Sequence, residues 1–163
     1  MKIYSFPPIS GQNAKVLVLG TMPGVQSLQL NQYYGHHRNA FWKIMFTLFN
    51  EPFSTDYTLR KALVLQQKVA VWDVLQACIR QGSLDSAIKQ EIPNDFEPFL
   101  QNHPNLTHIL FNGQKAAYYF RQHVRLSTPC KLITLPSTSP ANAGISFEQK
   151  QKEWQIINEL LAE

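Results

Sequence analysis

Tyr34, Asn39, Asp73, Asn112 and the hydroxyl run Ser137-Thr138-Ser139 are the residues whose type and setting allow chemistry. Asn39 carries a neutral amide, which can donate to and accept from one water molecule at once. It also stands directly before Ala40-Phe41-Trp42-Lys43-Ile44-Met45-Phe46, and asparagine in that place commonly caps a helix, stabilising it by about 1 kcal/mol. From spacing alone the cap is the favoured role. Tyr34 offers a flat ring, for the core or for a ligand. Asp73 ends an apolar run, where a carboxylate can accept from a ligand N–H, cap the next segment or pair with Arg80. Asn112 has a similar place, although Asn112-Gly113 is also a plain turn signal. Ser137 or Ser139 as a nucleophile would need a base nearby. No G-x-S-x-G elbow or evident His/Asp arrangement accompanies them, so a serine hydrolase ranks last.

Positioning such groups requires elements, and the apolar runs supply them. Residues 15–20, 69–73, 107–111 and 131–135 read as short strands, the first of them buried and bounded by turn residues. The first ends in Gly20, Thr21 and Met22, whose backbone N–H groups could meet a ligand as readily as form a plain turn. Helices are expected over 39–50, 57–67, 83–91 (capped by Ser83 or Asp85), 95–102, 114–124 and 147–162. Residues 1–14, with Pro7-Pro8 and Gly11, read as an irregular lead-in. Alternating strands and helices argue for an α/β fold, a three-layer α/β/α sandwich with right-handed crossovers. Ligands in such sheets bind beyond the carboxyl ends of the strands.

The bulk numbers narrow the class. A chain of 163 residues is one domain, 1–163, with room for a core. At 44% hydrophobic and 12% aromatic it is globular rather than disordered. No apolar stretch is long enough to span a membrane, and no signal peptide is visible after Met1-Lys2. Cys78 and Cys130 lack metal-site spacing, so no metal is expected and a cytoplasmic location with reduced thiols is the simplest reading. The net charge of +4 is compatible with nucleic acid. It is weak support, because the Lys and Arg residues are spread along the chain.

The segments LGTMPG (19–24), YYGHHRNAFW (33–42) and LPSTSPANA (135–143) resemble the uracil-DNA glycosylase superfamily, and most closely its hypoxanthine-DNA (deoxyinosine) glycosylase branch. The likeness implies four central parallel strands and an enzyme that everts a deaminated base from DNA and hydrolyses its N-glycosidic bond. By that resemblance Tyr34 stacks on the base and Asn39 places the water; for such an enzyme Gly20, Thr21, Met22, Asp73 and Asn112, all near strand ends, are the residues that could border the base. His36, Ser137, Thr138, Ser139, Pro140 and Asn142 meet DNA, with the wedge in the Ser139-Pro140 region; His37 has a similar but weaker claim. Met22 stands where the mismatch-specific uracil branch has asparagine, which counts against robust uracil excision. No lysine lies in the three segments, so a monofunctional enzyme without cofactor, acting as a monomer, is expected. The alternatives are a mismatch-specific uracil/thymine glycosylase and a catalytically silent nucleic-acid-binding module.

Overall fold

The computed structural model describes residues 2–163. Its centre is a parallel sheet of four strands, β2 (Val16–Gly20), β3 (Val69–Asp73), β6 (His108–Asn112) and β7 (Lys131–Leu135), in the spatial order β3-β2-β6-β7. Every residue of β2, β3 and β6 is buried. That is why these segments read as continuous apolar runs rather than alternating ones. β7 closes one edge, and its exposed Lys131 blunts it. The chain leaves β2 for β3 on one side and returns to β6 on the other, which places a topological switch point beside β2.

Register then decides which residues meet. Gly20 lies opposite Asp73, and Asn112 opposite Leu135, so the carboxyl ends of all four strands form one row. The expected strands match to within a residue, and helices α3 (Tyr57–Gln66), α4 (Phe96–Gln101) and α5 (Gln114–His123) lie where the periodicity places them. α2 (Phe41–Leu48) is shorter than expected but sits on the same apolar run, with Phe41, Trp42, Ile44, Met45, Phe46 and Leu48 buried and Lys43 and Thr47 exposed. Truncating such a core aromatic typically costs about 3–5 kcal/mol.

Three expectations fail. The helix over 83–91 is absent: a single 3₁₀ turn, Asp85–Ala87, precedes a strand, β5 (Lys89–Pro93). β5 pairs antiparallel with β4 (Leu75–Ile79), which in turn pairs with β1 (Lys2–Tyr4), giving a second, small sheet. The lead-in therefore contains a strand; Met1 lies outside the described residues. Tertiary pairing overrides local propensity here, since the register of β4 and β5 is irregular and Gln90 takes a positive φ of 51°. The expected helix 147–162 is two, α6 (Phe147–Trp154) and α7 (Ile156–Ala162). A further short helix, α1 (Val25–Leu30), was not expected.

Candidate active site

A cavity of about 900 Å³ opens over the row of strand ends. Its lining includes Gly20, Thr21, Met22, Tyr34, His36, Asn39, Asp73, Asn112, Ser137, Thr138, Ser139, Pro140 and Asn142, all singled out from the sequence, but not His37. The volume falls in the range of small-molecule sites.

The floor is the sheet itself. Asp73 is 3% exposed, and its Oδ2 accepts from the Ser5 hydroxyl at 2.6 Å. Burial, reinforced by the Asp85 charge, pushes its carboxyl up to about 7, although the Ser5 bond and Arg80 pull the other way. Burial likewise raises Asp85 above the usual carboxylate range. Gly20 is needed for close approach: a Cβ there would sit 2.7 Å from Asp73 Oδ1 and 2.9 Å from the Tyr34 hydroxyl oxygen. Met22 is buried and brings no hydrogen-bonding group of consequence.

Tyr34 is held in an unusual backbone state, with φ 54°. A left-handed conformation costs a tyrosine on the order of 1–2 kcal/mol, and the flanking contacts enforce it. Tyr33 is buried, its N–H donates to the Tyr57 hydroxyl at 3.0 Å, and its carbonyl accepts from Trp42 Nε1 at 2.8 Å. The Tyr33 hydroxyl lies within hydrogen-bond distance of the Phe6 and Pro7 carbonyls. Tyr34 then stacks on Phe41, with ring centroids 4.1 Å apart at 28°. Its hydroxyl oxygen is buried without a hydrogen-bond partner. Burial, with the Asp73 charge second, keeps that phenol well above its ordinary range.

Asn39 is both a cap and a cavity residue. Its Oδ1 accepts from the Phe41 N–H at 2.9 Å, while Ala40 occupies the formal N-cap position. The bond sets the amide's orientation: oxygen toward the helix start, with the Nδ2 hydrogens left over.

The proline-bracketed loop, 136–145, is ordered by its own hydroxyls and amides. Ser137 Oγ accepts from the Ser139 N–H, Ser139 Oγ from the Ala141 N–H, and Asn142 Nδ2 donates to the Ser137 carbonyl. Both serine oxygens thus serve the loop, which fits the low rank of a serine nucleophile. Trp154 Nε1 donates to the Pro136 carbonyl at 2.9 Å and ties the loop to α6. Thr138 joins the pieces: it exchanges hydrogen bonds with the Asn112 side chain, and its carbonyl accepts from Ala40 N–H at 3.0 Å. Asn112 therefore spends its amide chiefly on holding the loop.

At the edge of the cavity His36 stacks on His37 at 4.9 Å, and its Nδ1 accepts from the Arg38 N–H. Desolvation, then the charges of His37 and Arg38, hold His36 below the ordinary imidazole value. Sequence reasoning missed the wall formed by Ser83, Leu84 and Asp85, and also Lys115 of α5. The wall was hidden by the helix expected at 83–91. Lys115 is exposed, with its ammonium 5.2 Å from the Tyr118 ring centroid. Among the described residues no group of three or more His, Cys, Asp or Glu side chains could hold a metal ion, and no helix is long and apolar enough to cross a membrane.

An α/β sheet with an aromatic, an amide and a hydroxyl-rich loop converging beyond its strand ends matches the uracil DNA glycosylase superfamily, to which this chain belongs: the family model covers residues 7–161. Two similar proteins are named hypoxanthine DNA glycosylase. One, from Methanosarcina barkeri, is 38% identical over 155 residues, covering 94% of this chain and 96% of that protein. The other, from Methanosarcina acetivorans, is 33% identical over 153 residues, covering 93% and 95%. The solution NMR structure of a Methanosarcina acetivorans protein described as a candidate uracil DNA glycosylase superposes with a TM-score of 0.83 at 32% identity, over the full length of both chains.

Proposed function

We propose that this chain is a monofunctional DNA glycosylase that hydrolyses the N-glycosidic bond of deoxyinosine and releases hypoxanthine, as a cytoplasmic monomer without a cofactor. The observation that carries the reading is the meeting of Tyr34, Asn39, Asp73 and the 136–145 loop around one cavity, reinforced by the relatives named for the same activity.

Chemistry follows from the placement. An everted purine needs a flat partner and groups for its polar edge. Tyr34, backed on one face by Phe41, supplies the ring. Asp73, when ionised, accepts from N1–H of hypoxanthine, a donor that adenine lacks. As the glycosidic bond breaks, its electron pair leaves with the base and positive charge builds on the sugar. A water held by Asn39, accepting from Nδ2–H and donating to the second lone pair of Oδ1, adds its oxygen to C1′ and gives up a proton, which ends on the departing hypoxanthine anion to give the neutral free base. Backbone N–H groups at Gly20–Met22 suit the base carbonyl. Gly20, Thr21 and Met22 border the base, with Asn112 positioning the loop. His36, Ser137, Thr138, Ser139, Pro140 and Asn142 meet the backbone of the DNA, mainly through phosphates. No lysine lies in segments 19–24, 33–42 or 135–143, and the Lys115 ammonium sits over the Tyr118 ring, so borohydride should trap no covalent complex.

The test is a labelled duplex with one deoxyinosine, incubated with enzyme and then treated with alkali. Cleavage at the lesion is expected, with weaker or no cleavage at uracil because Met22 offers no hydrogen bond there. No cleavage at deoxyinosine with enzyme in excess overturns the proposal.

A further inference from the structure

Everting a base leaves a gap in the stack, and unstacking costs a few kcal/mol. Proteins that distort DNA offset this by inserting an apolar side chain between bases. The 136–145 loop presents no such group at its tip: from Ser137 to Ala143 its side chains are Ser, Thr, Ser, Pro, Ala, Asn and Ala. Ile145 is larger but partly covered.

Leu84 meets the requirement. It lines the cavity and, at 61% exposure, is the most exposed large apolar side chain among the described residues. Its neighbour Ser83 accepts from the Val25 N–H just past the end of β2, whereas the 136–145 loop follows β7. Leu84 and that loop therefore border the cavity from separate elements.

The turn beneath Leu84 is tied to the segment that follows β2. Arg80 is buried, its Nη2 donates to the Pro23 carbonyl at 2.6 Å, and its Nε donates to the Gly82 carbonyl at 2.7 Å. Gly82, at φ 72°, turns the chain, and Ser83 Oγ accepts from the Val25 N–H at 2.8 Å. The 3₁₀ turn Asp85–Ala87 follows, and Ile88 is buried on its far side. Leu84 thus stands in solvent at the cavity, on a turn tied to Pro23 and Val25.

We propose that Leu84 is the wedge that enters the base stack when the nucleotide is everted. The inference rests on the glycosylase reading above. Leu84→Ala, Leu84→Met and Ile145→Ala are compared with the wild type on deoxyinosine in a duplex, in an unpaired bubble and in single-stranded DNA. A 2-aminopurine beside the lesion reports unstacking.

Leu84→Ala should lower duplex excision about tenfold, the rate equivalent of about 1.4 kcal/mol, and should lose the fluorescence rise on binding. Its rates on the bubble and single strand should stay within about twofold of wild type, because no stack must be opened there. Leu84→Met should retain duplex activity. Equal activity on the duplex, an equal loss on single strands, or the duplex-only loss in Ile145→Ala instead would overturn the wedge assignment. Wild-type enzyme releasing no base from any of the three substrates would instead overturn the glycosylase reading, and the wedge with it.

Discussion

Asn112 and Thr138 hold each other by two reciprocal hydrogen bonds, Asn112 Nδ2 to Thr138 Oγ1 and Thr138 N–H to Asn112 Oδ1, both 2.9 Å. The pair is 8% and 1% exposed. It joins the end of β6 to the loop that follows β7, and Thr138 passes the link on to Ala40. The 136–145 loop and the start of α2 are thus set by one side-chain pair.

Asn112→Ala leaves the Thr138 N–H and hydroxyl buried without these partners. A loss of about 1–3 kcal/mol in stability is expected, read as a lower midpoint in urea with unchanged slope. Excision should fall as well, because the loop is no longer held. A variant of unchanged stability would show that the loop is held by other contacts.

Asn39 separates its two duties by substitution. Asn39→Asp keeps an oxygen for the Phe41 N–H, so stability should stay within about 0.5 kcal/mol of wild type. It removes the Nδ2 donors, and excision should drop by about 10²-fold or more. Asn39→Ala should lose activity and about 1 kcal/mol of stability together. Full activity in Asn39→Asp, measured under single-turnover conditions, would remove the amide from the mechanism.

Gly20→Ala forces a methyl group to within 2.7 Å of Asp73 Oδ1 and 2.9 Å of the Tyr34 oxygen. Asp73 is pinned by Ser5 and Tyr34 by its stack on Phe41, so neither side chain yields freely. Displacement of either by part of an ångström should cut kcat/KM by on the order of 10²-fold. A substrate titration checks it, with far-UV circular dichroism confirming the fold.

Asp73 should impose a pH dependence on both stability and rate. Its folded value of about 7 lies above the ordinary 3.8. Between these two values the folded protein keeps a proton that the unfolded chain has released. The stabilisation is therefore complete below the lower value and is lost as pH rises to the upper, by on the order of 4 kcal/mol at most. Asp73→Asn should abolish that slope in urea titrations from pH 4 to 8. Excision should move the opposite way, rising about tenfold from pH 6 to 8 as the carboxylate becomes available to N1–H. A rate that falls over that range would show that the protonated form is the active one.

Much of the fold was legible locally. The strands carrying Gly20, Asp73 and Asn112 are buried on both faces, so each announced itself as an apolar run ended by a turn residue. The largely exposed edge strand ending in Leu135 was marked by the proline that follows it. The helix after Asn39 carried its own apolar face and its own cap. The three motif segments were recognisable because their residue types are set by chemistry at a site. Other features depended on distant partners. The strand at 89–93 exists because 75–79 is there to pair with it, and pairing between separate segments leaves little trace in local propensity.

The same holds for function. Residue types alone determined the class of fold, the family and the side chains worth testing. Tertiary structure decided that Tyr34 is forced into a left-handed backbone, that Asp73 is buried until its carboxyl titrates near neutrality, and that Leu84 stands out in solvent beside the cavity. Conformation, protonation and exposure all depend on neighbours far away in sequence, and only the folded chain brings those neighbours together.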